Sequence, residues 1–432
     1  MRLRRILLVL LGLVVVVVGA TAAISFYHPP MQLMPAPAVF RDGRVQVFGS
    51  GPDDPNIRLF YATNRKQVGT PEAPDYARVP GDDLRAGVAT IRIGEDGTPW
   101  DRIYAWSTGT SDEPRPFLHL DGVEEQAVIA ADGTPTEDAK AWYGAINAAL
   151  AASRDKDIIV YVHGANTNLE RAAGQAAQLH HFTGRDTVVV LFAWPTAENF
   201  LRYSRDMVTA KQSAPALAEV IAVLARNTDA EHIDVLTYSA GAVVGSDGLA
   251  ILGRQLAEQG DGESPLGEVY HAAPDADFRG FVDDMRDYAD RAERTTVAVN
   301  MNDSALRLSQ RVNSGSRAGR PDLRELSLEA TEWLLGATKV YALDLLQVRP
   351  ENIPGLSRFS HTFWYEDPWV SSDVLITLLY HVPADERGLE SGDASFGARY
   401  WTFGPDYEDR LPGVIGGLLA SSSAPDAPDE GQ

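Results

Sequence analysis

From residue 158 onward the chain alternates short runs of Val and Ile with longer stretches of helical periodicity, and no other feature narrows its fold as much. The sequence predicts strands at Ile158 to Val162, Thr187 to Ala193, Ile233 to Leu236, Glu268 to Ala272, Thr295 to Asn300 and Val340 to Val348. Helical patterns separate most of them, at Leu169 to Phe182, Ser213 to Arg226, Ala242 to Gln259 and Phe278 to Ala292. Short apolar strands joined by helices imply βαβ units, hence an α/β fold whose mostly parallel sheet carries helices on both faces. Right-handed crossovers then gather the functional loops at the carboxyl ends of the strands. Upstream, Ile57 to Thr63, Val88 to Ile93, Arg102 to Trp106 and Gln126 to Ala130 read as further strands, and Thr136 to Ala152 as a helix.

The ends of the chain differ from this body. Arg2, Arg4 and Arg5 precede an apolar run from Ile6 to Ile24, long enough to cross a bilayer as a helix. A basic flank stays cytoplasmic, so the rest of the chain is expected outside, tethered by residues 1–27 as an anchor. The small residues Ala20, Thr21, Ala22 and Ala23 also suit a cleaved signal peptide, and both readings stay open. Residues 28–55, rich in Pro and Gly, read as a linker, 56–412 as the globular domain, and 413–432 as a disordered tail ending in the Ser, Pro, Ala and Asp of Ser421 to Gln432. The net charge of -22 argues against nucleic acid as a partner. With no cysteine, disulfides, thiol catalysis and thiolate-bound metals are excluded.

Chemistry concentrates at the carboxyl ends of the strands. In His232-Ile-Asp-Val-Leu-Thr-Tyr-Ser239-Ala-Gly-Ala an apolar strand runs straight into Ser239, followed by Ala240, Gly241 and a helix. Such a strand–turn–helix elbow lifts a serine hydroxyl out of the sheet, and the helix N-terminus favours an oxyanion beside it. Thr237 stands where such elbows usually have glycine; the alternative role for Ser239 is to cap the helix. Val162-His163-Gly164-Ala165-Asn166 ends an earlier strand, and its turn is expected to supply one oxyanion donor, Ala165 or alternatively Asn166, with Ala240 as the other. His163 precedes the nucleophile and has no metal-ligand companion at suitable spacing, so a structural role fits it; no metal and no cofactor are expected. Trp194, in Ala193-Trp-Pro, either shapes the pocket wall or packs internally.

With this elbow the partners follow the serine as Asp or Glu, then His. His361, in Ser360-His361-Thr-Phe, lies in a loop before a helix starting near Pro368, whereas His381 closes that helix and suits a capping role. The acid has two contenders. Asp303 follows the second strand after the serine's own, and Asp275 follows the first. Either carboxylate would hold the imidazole's tautomer, and the one not used would cap a helix. Between them, Arg317 and Arg320 lie in a Gly/Ser-rich stretch from Arg307 to Arg324. They either grip an anionic substrate group or offset the acidic surface, and the glycines mark the stretch as a candidate lid.

The ordered set Phe60-Tyr-Ala-Thr-Asn-Arg65, Val162-His-Gly, Ala193-Trp-Pro, Tyr238-Ser-Ala-Gly, Ala273-Pro-Asp275, Asn302-Asp-Ser-Ala-Leu306 and Ser360-His361 resembles the bacterial α/β-hydrolases of unknown function described as esterase/lipase-like. The match runs from about residue 57 to 382. It implies the α/β-hydrolase fold and a serine triad of Ser239, Asp303 and His361. Members usually carry His-Ser-Met-Gly at the elbow, so Tyr238 and Ala240 depart from the family and bear on substrate choice. The family has no settled substrate, so the resemblance supplies none; hydrolysis of a small-molecule or lipid ester is expected by analogy with the fold. A catalytically idle envelope-binding domain and a serine peptidase are the alternatives.

Overall fold

The computed structural model describes residues 30–43, 55–70, 73–130, 134–260, 264–340, 342–394 and 397–422. The apolar run Ile6 to Ile24 and residues 423–432 lie outside these.

In chain order the elements that carry the fold are β1 (Ile57–Gln67), β2 (Tyr76–Ile93), α1 (Trp100–Ser107), β3 (Leu118–Ile129), α2 (Glu137–Ala152), β4 (Ile158–Val162), α3 (Leu169–Phe182), β5 (Val188–Phe192), α4 (Tyr203–Asn227), β6 (Ile233–Tyr238) and α5 (Gly241–Gln259). There follow β7 (Leu266–Ala272), α6 (Phe278–Tyr288), β8 (Arg294–Val299), α7 (Ser304–Asn313), α8 (Leu328–Val340), β9 (Leu343–Gln347), α9 (Phe363–Glu366), α10 (Pro368–Tyr380), β10 (Glu390–Asp393), β11 (Arg399–Thr402) and α11 (Tyr407–Ser422).

One 11-stranded sheet contains every strand named, in the order β10-β11-β9-β8-β7-β6-β4-β5-β1-β2-β3. The run from β11 to β1 is parallel throughout. Antiparallel neighbours, β2 and β3 on one side and β10 on the other, complete it. Side chains of β4 alternate between two apolar layers. Ile158, Val160 and Val162 pack with α2, α4, α5 and α6, while Ile159 and Tyr161 pack with α3 and α10. Every residue of β4, β5, β6 and β7 is buried, which is why β4 and β5 are apolar without interruption, while β6 and β7 also bury Asp234, Thr237, Glu268 and His271. From β4 the chain first moves outward to β5, then crosses back to β6 on the other side of β4. Strand order reverses there, and the loops after β4 and β6 diverge into a crevice at their carboxyl ends.

Four expectations need correction. Residues 102–106 lie in a helix, α1, with Ile103 and Trp106 turned inward at a helical spacing of three. The presumed linker is partly core: Met31, Leu33, Met34, Val39 and Phe40 are buried, and Val39 N donates to Ser372 Oγ at 3.1 Å. Its prolines leave only a short 3-10 helix, Ala38–Gly43, among its described residues, but its large apolar side chains still gain from burial. The domain also continues past residue 412, because α11 buries Leu411, Ile415 and Leu418 along one face. Finally, Val340 ends α8, and β9 begins only at Leu343.

Among the described residues one helical stretch, Phe200–Asn227, is long and apolar enough to span a membrane, and 56% of its apolar window is buried inside the fold. Its apolar residues serve the core beneath β4 and β6, where Leu217, Val220, Ile221 and Leu224 are fully buried.

Candidate active site

β6 delivers Ser239 into the crevice with φ 54, a left-handed conformation that an L-residue adopts only when its surroundings hold it there. Backbone bonds on both sides do so: Ser239 N donates to Ala272 O at 3.0 Å, and Ser239 O accepts from Asp275 N at 2.9 Å. The helix that follows packs tightly on the end of β4. A Cβ at Gly241 would lie 2.5 Å from the carbonyl oxygens of both Val162 and His163. Thr237 is accommodated by a second glycine. Its methyl sits where a Cβ at Gly245 would be, 2.4 Å away, and its hydroxyl is 2.7 Å from His271 Nδ1. Threonine thus fits the elbow because α5 has no side chain opposite it.

Three groups expected from the sequence come together. His361 Nε2 lies 2.7 Å from Ser239 Oγ, and His361 Nδ1 lies 2.6 Å from Asp303 Oδ2. Asp303 is fully buried, and its other oxygen accepts from Leu306 N at 3.0 Å, capping α7. A single carboxylate therefore orients the imidazole and starts a helix. Burial is the largest single influence on His361 and pulls its pKa down. The Asp303 charge and hydrogen bond, with a smaller contribution from Asp275, outweigh it and leave the pKa above 6.5.

Asp275, the other contender for the acid, is committed elsewhere. Its carboxylate accepts from Arg317 Nε at 2.7 Å, from Ser309 Oγ at 2.6 Å and from the Tyr203 hydroxyl at 2.6 Å. It forms a buried wall of the cavity and does not bond to His361. That geometry also corrects the reading of Arg317 as a substrate-gripping residue. Its side chain is 3% exposed, and it further donates to Asp275 O at 2.7 Å. Arg320 donates to Met301 O at 3.0 Å and to the Gln310 side chain, and it is not among the residues lining the cavity. Ser316, Arg317 and Ala318 are buried, so this stretch is a packed wall and not a lid on glycine hinges. An arginine beside a buried aspartate is held by charge pairing, which wins over exposure to solvent.

The loop after β4 sorts the oxyanion candidates. Asn166 N donates to Asp206 Oδ2 at 2.9 Å and is thereby removed from the alternatives. Asp206 also accepts from Ala197 N at 2.6 Å, tying the loops after β4 and β5 together. Arg65 braces the same loops through Thr167 O at 3.1 Å and Glu198 Oε1 at 3.2 Å. Ala165 lines the cavity beside Ser239, and Ala240 N–H stands at the start of α5. Trp194 does not line the cavity. It is fully buried, stacks on the His163 ring at 5.3 Å and donates from Nε1 to His163 O at 2.7 Å. Burial and the nearby Arg65 charge depress the His163 pKa to about 3, keeping it a neutral structural ring. Tyr238 does stay at the site, its ring 5.3 Å from that of His361 and part of the cavity wall.

The cavity over Ser239 has a volume of about 350 Å3. Residues that carried no signal in the sequence build its mouth: Phe200 and Leu201 after β5, and Leu308 and Val312 on α7. All four are exposed, at 50%, 64%, 43% and 53%, so an apolar rim surrounds a polar floor. Their spacing on α7 resembles any amphipathic helix, and only the fold shows that this stripe faces the crevice.

Comparison with curated proteins gives no match. Among solved structures the chain is similar to esterase B from Lactobacillus rhamnosis, a structure described with a tributyrin phosphonate inhibitor. The identity is 15%, covering 49% of this chain and 70% of that one, with a TM-score of 0.26. Residues 138–372, more than half of the 432-residue chain, match the model of a family described as "Alpha/beta hydrolase of unknown function (DUF900)", and the protein belongs to that family.

Proposed function

We propose that the protein is a serine hydrolase of carboxylic esters, with Ser239 as nucleophile, His361 as base and Asp303 as the acid that orients it. One observation carries this reading: the unbroken chain of contacts from Ser239 Oγ through both nitrogens of His361 to the buried Asp303. In the first step His361 Nε2 takes the Ser239 proton while Oγ bonds to the substrate carbonyl carbon. The carbonyl oxygen becomes an oxyanion held by the N–H groups of Ala240 and Ala165, at the positive end of α5. His361 then gives its proton to the leaving alkoxide, releasing the alcohol and leaving an acyl-enzyme. Water, deprotonated by His361, then bonds to the acyl carbon; the bond to Ser239 Oγ breaks, His361 returns the proton to that oxygen, and the acid leaves. The apolar rim of Phe200, Leu201, Leu308 and Val312 supports an apolar acyl or alcohol portion. The apolar run Ile6 to Ile24 supports attachment to, or export across, the cytoplasmic membrane.

The test is labelling with a fluorophosphonate, which reacts quickly only with an activated serine. Wild type is expected to label, and Ser239→Ala and His361→Ala to lose labelling while remaining folded. A folded wild-type protein that does not label would overturn the proposal in favour of a binding domain.

A further inference from the structure

At the opposite end of the sheet from Ser239, the structure gathers a second set of chemically competent side chains. Asp157 directly precedes β4, His232 directly precedes β6, Asp234 is the second residue of β6, Glu293 directly precedes β8, and His381 follows α10. One donor atom each from Asp157, His232 and His381 lies within 4.8 Å of the others. β6 is six residues long, so at about 3.3 Å per residue this cluster is roughly 20 Å from the elbow.

We infer that this cluster is a binding site for one divalent transition-metal ion such as Zn2+, held by Asp157, His232 and His381, with Asp234 beside His381. The separations suit it. His381 Nε2 is 3.3 Å from Asp157 Oδ2 and 3.3 Å from Asp234 Oδ2, and His232 Nδ1 is 3.1 Å from Asp157 Oδ1. A tetrahedral ion with bonds of about 2.0–2.2 Å places its ligand atoms roughly 3.3–3.5 Å apart. Two imidazoles with one carboxylate form a donor set that favours zinc and its neighbours over calcium or magnesium, which prefer all-oxygen shells.

Glu293 supplies an independent indication. Its carboxylate meets the nitrogens that point away from the Asp157 oxygens, His381 Nδ1 at 2.7 Å and His232 Nε2 at 3.3 Å. A carboxylate on the outer nitrogen is what fixes the tautomer and aim of a metal-bound histidine, and here one residue does it for two. Access is open, since the His232 side chain is 34% exposed and Glu293 45%. The ligands come from the starts of two neighbouring strands and the end of a helix packed on the sheet, so a bound ion would staple the fold and take no part in the Ser239 chemistry. This inference does not depend on the hydrolase proposal.

The experiment uses the full-length chain, stripped with a chelator and then equilibrated with Zn2+ or Co2+. One ion per chain is expected, with Co2+ giving the intense visible bands of a tetrahedral nitrogen–oxygen site. His232→Gln combined with His381→Gln should abolish the Co2+ bands, and Glu293→Gln should weaken binding about 10- to 100-fold. Circular dichroism and urea unfolding of the metal-free proteins report that each variant is folded, whether or not Ser239 reacts. Failure of the stripped wild type to take up an ion would overturn the inference, whatever the variants do, and would leave the cluster an ion-pair network. Wild-type binding that persists in the folded double variant would overturn it equally, by placing the ion elsewhere.

Discussion

Replacing Asp303 with asparagine separates its two roles, and the structure says how. One carboxylate oxygen of Asp303 accepts from Leu306 N at 3.0 Å, and the other contacts His361 Nδ1 at 2.6 Å. Asparagine caps helices about as well as aspartate, so its carbonyl oxygen would stay on the Leu306 N–H. Its NH2 group would then face His361 Nδ1 and make that nitrogen the acceptor. The imidazole would carry its hydrogen on Nε2, aimed at Ser239 Oγ, and would be unable to take the serine proton. In a triad of this geometry the wrong tautomer costs roughly 10⁴-fold in kcat, about 5 kcal/mol of transition-state stabilisation. The fold should lose little. Asp303→Ala, by contrast, removes the cap as well and should cost about 1 kcal/mol of stability. Steady-state hydrolysis of a short-chain chromogenic ester, with urea unfolding of the same preparations, measures both. Activity of Asp303→Asn within about tenfold of wild type would refute the tautomer argument, as would a large stability loss with intact activity.

Further outcomes follow from neighbouring contacts. Because Asp303 and Asp275 raise the His361 pKa and the base must be deprotonated, kcat/KM should rise with pH through an inflection above 6.5; in Asp303→Asn burial prevails and the inflection should move lower. Gly245→Ala should destabilise by about 1–3 kcal/mol in urea unfolding because its methyl meets Thr237, and Thr237→Ser, which keeps the bond to His271, should recover most of the loss. Asp275→Ala strips the buried Arg317 of its partner and should cost about 3–5 kcal/mol, read as a lower urea midpoint, while the folded fraction still labels at Ser239. Burial holds His163 and His271 at about 3 and His180 at about 4, so each is neutral when folded but binds a proton below about 6.5 when unfolded. Their contribution to stability is present above pH 6.5 and is lost as pH falls toward 4, while buried Glu268, raised to about 8, and Asp284, raised to about 7, act in the opposite sense; the histidine effect is therefore read as a difference, the urea midpoint of wild type relative to His180→Gln falling between pH 6.5 and 5, and a constant difference there would contradict it.

Much of the architecture was legible in the sequence because buried parallel strands are mostly apolar: β4 and β5 are so throughout, and β6 to β8 keep apolar residues around a few polar ones. The elbow was legible too, since a strand running into Ser-Ala-Gly and a helix is a local pattern. Local pattern failed at Arg102 to Trp106, where alternating side chains suit a strand equally well but Ile103 and Trp106 turn out to share a helical face. It failed also at residues 31–40, where proline content suggested a linker and tertiary burial of Leu33, Val39 and Phe40 prevailed.

What the sequence determined by itself was the identity and order of the groups: strands, elbow serine, following aspartates, and His361 in a loop. What only the tertiary structure decided was which partners they choose. Asp303 and Asp275 are equivalent as residues, each after a strand and before a helix, but one meets His361 and the other meets Arg317, Tyr203 and Ser309. Arg317 reads as a surface charge until its aspartate draws it inward, and Trp194 as a pocket wall until His163 stacks on it. The His232–His381 cluster leaves no trace in any motif, because its ligands are dispersed from Asp157 to His381 and only neighbouring strand starts and the end of α10 bring them together. Local physics selects elements from sequence; partner choice depends on distances between residues far apart in the chain, and those exist only once the sheet is assembled.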